Sequence, residues 1–199
     1  MKRPTTDGLS TSPITPDHWD DLVTVFGRPG NRASWCWCRR FLGADDHTAP
    51  GGGPDNRASL RAEIDAAAVA PGLLATVDGS PAGWTRVGPR DGFPGVVGNR
   101  ALQRILQPDP EAWWVTCFAI ARAFRGRGVG TALLEAAVVF AREHGAAAVE
   151  GHPVDVENLA ASSVGASALF TGTLAMFGRA GFTEIGRTYR TRPVMRRAL

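Results

Sequence analysis

The sequence has no apolar run that approaches the roughly 18 residues a membrane span requires. Its opening, Met1 to Ser10, is polar and lacks the apolar core of a secretory signal. Cysteine is scarce: there are three in 199 residues, an odd number. Cys36 and Cys38 stand two apart, which is awkward for a mutual disulfide. That pattern argues against a disulfide scaffold and fits a reducing cytoplasm. A strong excess of charge is lacking too. The net charge is +3, from 22 basic and 19 acidic residues, too small to argue for a nucleic-acid partner. The basic excess is local: Arg122, Arg125 and Arg127 cluster, and Arg187 to Arg197 is Arg-rich. Such clusters bind anionic ligands as readily as nucleic acid.

What is present is an ordinary globular composition, 44% hydrophobic and 21% charged, on a chain long enough for one domain with a full core. Residues 1–11 read as a flexible tail and 12–199 as a single domain. Pro13 to Thr15 reads as a short first strand, and Pro16 to Phe26 as a helix with Pro16 and acidic Asp17, Asp20 and Asp21 near its start. Asn56 to Val69 is a second helix. Gly72 to Val77 and Pro81 to Val87 form a hairpin around Asp78-Gly79. Gly88 to Pro110 reads as a long connection. Trp113 to Ala121, apolar with aromatic and β-branched residues, is a buried strand. Gly128 to His144 is an amphipathic helix with Leu133, Leu134, Ala137, Val138 and Ala141 on one face, ended by Gly145. Ala148 to His152, Phe182 to Arg187 and Pro193 to Ala198 are strands, and Thr173 to Ala180 a helix. This order predicts an α/β or α+β sheet with helices on both faces.

The chemistry concentrates at Arg125-Gly126-Arg127-Gly128-Val129-Gly130, which joins the buried strand to the amphipathic helix. Glycines there allow positive φ and close backbone approach. Successive N–H groups and the helix dipole favour an anion, and Arg125, Arg127 and the Thr131 hydroxyl add donors. A Walker-type loop requires a Lys that Gly130-Thr131 lacks. A dinucleotide fingerprint requires Gly-x-Gly-x-x-Gly after the first strand of its fold, whereas this turn comes late with glycines at 126, 128 and 130. An Arg-Gly RNA-binding tract would be repeated, and this one is a single unit. On the turn alone, a tight connection with no ligand stays open.

The segment resembles the acyl-CoA signature of the GNAT acetyltransferase superfamily, Arg/Gln-x-x-Gly-x-Gly/Ala, with Arg125, Gly128 and Gly130 in the motif positions. Cys117-Phe118-Ala119-Ile120 ahead, Thr131-Ala132-Leu133-Leu134 behind, and Met176 to Phe182 further on, like the family's Leu-Tyr-x-x-x-Gly-Phe, resemble it as well. The likeness covers Pro13 to Leu199. It implies a mixed, mostly antiparallel, splayed sheet of six to seven strands flanked by about four helices. It also implies acetyl-CoA as co-substrate, held at the pyrophosphate by Arg125, Gly126, Arg127, Gly128, Val129, Gly130 and Thr131, and along the pantetheine arm by the backbone of Phe118, Ala119 and Ile120. The acceptor would be an amine of a small molecule or peptide, with no nucleic acid and no membrane. Homodimers through C-terminal strands are common among such relatives.

Acyl transfer to an alkyl amine requires loss of an ammonium proton, at a cost of roughly 4 kcal/mol at neutral pH. Glu150 and His152, two apart on one strand and so on one face, are the candidate bases, and His152 has the better unperturbed pKa. Glu111 and Asp155 are weaker candidates. Both Glu150 and His152 also read as ordinary structural polar residues. A backbone N–H such as that of Ile120 would serve the oxyanion. The family's acid is a tyrosine in the last helix; Phe177 stands there, and the chain's one tyrosine is Tyr189. Cys117 reads as a small apolar strand residue. Trp35-Cys36-Trp37-Cys38 lacks the spacing and further ligands of a metal site, so no metal is expected. Three functions compete: an acetyl-CoA-dependent N-acyltransferase, a non-catalytic acyl-CoA sensor, and an acyltransferase acting on aminoacyl-tRNA, against which the modest charge argues.

Overall fold

The computed structural model describes residues 8–27, 37, 39, 41–42, 56–159 and 166–199. Seven strands form one sheet in the order β1-β2-β3-β4-β5-β7-β6. They are β1 (Leu9–Pro13), β2 (Gly72–Val77), β3 (Ser80–Pro89), β4 (Ala112–Ile120), β5 (Ala148–Gly151), β6 (Thr183–Tyr189) and β7 (Arg192–Ala198). All neighbours are antiparallel except β4 and β5. The helices are α1 (Trp19–Phe26), α2 (Asn56–Ala66), α3 (Pro94–Val97), α4 (Arg100–Gln103), α5 (Val129–Glu143) and α6 (Leu174–Arg179).

Strand alternation sends successive residues to opposite faces, and neighbouring residues here enter different cores. Leu73, Trp113, Val115, Val149 and Met195 pack with Leu133, Leu134, Ala137 and Val138 of α5 and with Met176 and Phe177 of α6. Leu74, Trp84 and Cys117 meet Leu22 and Val25 of α1 and Leu60 and Ile64 of α2. Trp114 and Val194 lie under Phe93, Val96 and Leu102, from α3, α4 and the turn before them. The sheet is therefore covered on both faces. The β2–β3 hairpin turns at Asp78 and Gly79, whose φ angles of 49° and 74° are the paired left-handed conformations a two-residue hairpin loop requires.

Two differences from the sequence expectations have physical reasons. The first strand is Leu9–Pro13, earlier than Pro13 to Thr15. It is an edge strand of mostly half-exposed and exposed residues, joined to β2 by its ladder and by the Ser10 Oγ–Thr76 Oγ1 bond of 2.7 Å, so it carries little apolar signal. The connection Gly88 to Pro110 contains α3 and α4, two short helices. The second starts at Asn99, whose side chain accepts from Ala101 and Leu102 N–H. Each is too short to show periodicity. The expected loop 44–54 and both Cys36 and Cys38 lie outside the described residues.

One irregularity sets up the site. β4 pairs with β5 only from Ala112↔Ala148 to Val115↔Gly151, yet continues to Ile120 against β3 alone. The β3–β4 register jumps from Val87↔Val115 to Arg86↔Cys117, leaving Thr116 as the extra residue of a β-bulge. β4 and β5 thus part at the bulge, and beyond it no strand among the described residues pairs with that edge of β4.

Candidate functional site

The open edge can be resolved residue by residue. Ala121 N–H donates to Ala82 O at 3.0 Å, toward β3. Backbone polar groups alternate sides along a strand, so Ala119 and Cys117 also address β3, and Phe118 and Ile120 address the open side. Two side-chain bonds agree: Thr85 Oγ1 donates to Cys117 O at 2.9 Å, and Arg125 Nε donates to Ile120 O at 3.1 Å. Of the three residues singled out in the sequence, Phe118 and Ile120 therefore have backbone groups facing the gap. Ala119 turns its own to β3 and its side chain to the α1–α2 side.

β4 runs through a short turn, Arg122 to Phe124, into α5. Gly126 has φ 74° and Gly128, the N-cap of α5, has φ 84°. No side chain caps this helix, and the bond of Ala132 N–H to Gly128 O at 3.0 Å begins its ladder. The N–H groups of Val129, Gly130 and Thr131 consequently have no intrahelical acceptor and point out of the helix start. Among the described residues, nothing approaches within 4 Å of where a Gly126 Cβ would be. Arg125, Gly126 and Arg127 are exposed, and Arg127 lies over the Phe124 ring at 5.7 Å. The turn thus combines left-handed glycines, three orphan donors and two guanidinium groups. These suit a diphosphate, and the open edge behind them suits an extended chain carrying amides. The residues present therefore fit acyl-CoA.

Glu150 and His152 leave β5 on the other side of the gap. Glu150 is fully buried, with Oε2 2.8 Å from Arg90 Nη1 and Oε1 2.5 Å from Arg196 Nη1. Arg90 also donates to Gln107 O and Asp109 O, and Arg196 to Asp109 Oδ2. The Arg196 hydrogen bond holds the Asp109 carboxyl below the usual carboxylate range. Both Glu150 oxygens are thus committed to cations. Sequence reasoning missed Arg90, Asp109 and Arg196, because the network is assembled from three distant segments.

His152 is half-buried. Its Nε2 lies 2.7 Å from Thr188 Oγ1, and that hydroxyl donates to Arg192 O at 3.4 Å. The Thr188 hydroxyl thus bridges the imidazole and the Arg192 carbonyl. Burial, helped by the Arg192 charge, pushes the imidazole pKa down to about 4. The loop after β5 is tied to the β6–β7 hairpin: Asp155 Oδ2 meets Arg187 Nη1 at 2.6 Å and Asn158 Nδ2 at 2.7 Å. The guanidinium of Arg187, then Asn158, keep that carboxyl below its ordinary range.

Phe177 is fully buried on α6, edge-on to Phe118 and Phe182. Tyr189 is 72% exposed near the β6–β7 turn. Thr116 Oγ1 is buried with no hydrogen-bond partner among the described residues, a cost of about 1–3 kcal/mol unless a ligand meets it. No sequence signal marks it, because bulges have no sequence code. Among the described residues no helix is long and apolar enough to cross a membrane, and no group of three His, Cys, Asp or Glu stands where it would hold a metal.

Comparison with known proteins gives a consistent result. The sequence profile of the acetyltransferase (GNAT) family matches residues 35–164, more than half of the chain. None of the curated proteins compared with the chain is similar to it. Among solved structures, the GNAT domain of S. lividans PAT superposes with a TM-score of 0.56 at 20% identity, covering 95% of this chain and 89% of that one. Aminoglycoside acetyltransferase AAC(6')-Ib in complex with coenzyme A gives 0.54 at 17% identity over 96% and 94%. Salmonella typhimurium yncA, solved with its cofactor acetyl-CoA, gives 0.51 at 15% over 97% and 95%. At these identities the structures show a shared fold.

Proposed function

Because the chain belongs to the GNAT acetyltransferase family, we propose that it moves an acetyl group from acetyl-CoA to the amine of a small molecule or peptide by direct attack. The observation that carries this reading is the uncapped start of α5 at the end of a strand with one open edge. The N–H groups of Val129, Gly130 and Thr131, with Arg125 and Arg127, would hold the pyrophosphate. Gly126 and Gly128 keep side-chain bulk away from it. Phe118 and Ile120 would pair with the pantetheine amides through their backbone, while Ala119 holds the strand to β3. When bound, acetyl-CoA supplies the activated acyl carbon and a thiolate leaving group.

The remaining work falls to this chain's residues. A backbone N–H on the open edge, at Phe118 or Ile120, donates to the acyl oxygen as charge gathers there. His152 accepts the amine proton on its imidazole. Its depressed pKa means it cannot strip a free ammonium: six pKa units correspond to about 8 kcal/mol. The amine therefore enters neutral, and His152 takes the proton only as the nitrogen bonds to carbon and becomes acidic. Glu150, with both oxygens held, acts as a positioning residue that fixes β5 against Arg90 and Arg196. Phe177 offers no proton, so the thiolate leaves unaided, as a thiol with pKa near 8.5 tolerates.

The first test is binding. Acetyl-CoA at 100 times its Kd raises stability by about 2.7 kcal/mol and hence the Tm by several degrees. Gly128→Glu, which places bulk and negative charge at the phosphates, removes the shift; an unchanged shift in this variant would sink the assignment. The buried Phe177 and weakly basic His152 favour one second reading, an acyl-CoA binder without turnover. Thiol release with a panel of amines separates the two.

A further inference from the structure

The transfer reading leaves Phe177 without a task, yet its surroundings are unusual. A Cβ added at Gly151 would lie 2.5 Å from its ring and 3.1 Å from Val115, and one at Gly172 would lie 3.1 Å from the ring and 3.2 Å from Phe118. The ring therefore fills the hollow left by Gly151 and, with the Met176 methyl group at 2.4 Å, the one left by Gly172. Gly151 is the last β5 residue paired with β4, opposite Val115. Phe177 thus closes the gap between the strands on the α5–α6 side, at the point where they part.

We infer that Phe177 is the stop that sets acyl-chain length, admitting acetyl and rejecting butyryl and longer groups. The inference rests on the transfer reading, because it takes the thioester to lie at the Phe118–Ile120 edge. From the phosphate turn the pantetheine arm meets Ile120 first and Phe118 next. The same direction continued reaches Thr116, Val115 and Gly151, where the strands pair again. An acyl chain that lengthens grows toward that closed end, where the Phe177 ring backs Gly151 and Phe118 and leaves no room behind them. The ring is 0% exposed and stands against Phe118 at 6.4 Å and Phe182 at 4.9 Å between centroids, so it has no free space into which to retreat. Close-packed walls of this kind do not absorb extra methylenes. A phenylalanine at this position thus trades a proton donor for a rigid apolar floor.

The test uses the full chain with acetyl-, propionyl-, butyryl- and hexanoyl-CoA and one fixed amine, with thiol release as the readout and Tm as the check on folding. The wild type is expected to use butyryl-CoA at least about tenfold less well than acetyl-CoA in kcat/KM, the lower end of what a methylene decides in an apolar pocket. Phe177→Leu is expected to raise the butyryl-to-acetyl ratio about tenfold or more. If no amine is turned over, competition of the same acyl-CoAs against CoA gives the ratio. Should Phe177→Leu not fold, Phe177→Met makes the same comparison, and the wild-type series stands by itself. Equal use of butyryl- and acetyl-CoA by the wild type overturns the inference, as does an unchanged ratio in a folded Leu or Met variant. Absence of any Tm shift with every acyl-CoA and with CoA defeats the transfer reading itself, and this inference with it.

Discussion

A histidine whose imidazole resists protonation down to about pH 4 leaves two separate marks on pH behaviour. In activity, kcat/KM should climb with pH toward the amine's own pKa, about 10 for an alkyl amine, with no inflection near 6.5. A limb near 6.5 that disappears in His152→Gln would show that His152 titrates normally in the free protein. In stability the sign follows from proton counting. Between pH 4 and 6.5 the unfolded chain holds a proton on His152 and the folded chain does not, so stability rises with pH across that window. The contribution is complete above 6.5 and falls away as pH drops toward 4, by about 3 kcal/mol in all. Urea unfolding of wild type and His152→Gln at several pH values measures it. The residue type was legible in the sequence, and its place nearly so, since β5 ends at Gly151 and His152 follows directly. The perturbation was not, because the burial and the Arg192 charge that lower its pKa come from packing against a separate hairpin.

At the scale of elements, the Glu150 carboxylate ties three segments together: β5, β7 through Arg196, and the α3–α4 excursion through Arg90 and its bonds to Gln107 and Asp109. Glu150→Gln removes the anion and leaves two guanidinium groups facing each other. Breaking a buried pair costs roughly 3–5 kcal/mol, and since Arg90 and Arg196 keep some solvent contact the loss should fall at the low end of that range. Chemical denaturation reads it directly, and a loss below about 1 kcal/mol would remove the network from the account of how β5 is held. The strands of high apolar content and the four longer helices could be read from periodicity, since burial imposes it. The edge strand β1 and the one-turn helices α3 and α4 could not, because neither buries enough residues to write a pattern. The Arg125–Gly130 turn, the proposed phosphate cradle, was legible for the opposite reason: its glycines, arginines and helix start are contiguous in one short stretch of sequence.

Taken as a whole molecule, the sheet is two antiparallel pieces, β1 to β4 and β5 to β7, joined by four parallel residue pairs and by helices packed across both faces. The pieces part at the Thr116 bulge. A covered sheet normally shields its central-strand amides from solvent, but here a central strand has an interior edge. The sheet is a strand short, and a ligand bearing amides is suited to complete it, as peptides complete sheet edges elsewhere. This has a consequence in exchange kinetics. The Phe118 and Ile120 amides, although on a core strand, should trade their protons for deuterium quickly in the free protein, while those of Cys117 and Ala119, bonded toward β3, exchange slowly. Acetyl-CoA should slow the first pair and leave the second as it was. Residue-resolved hydrogen exchange would display this as a two-residue alternation along β4 that vanishes on binding, and uniform protection in the free protein would contradict it.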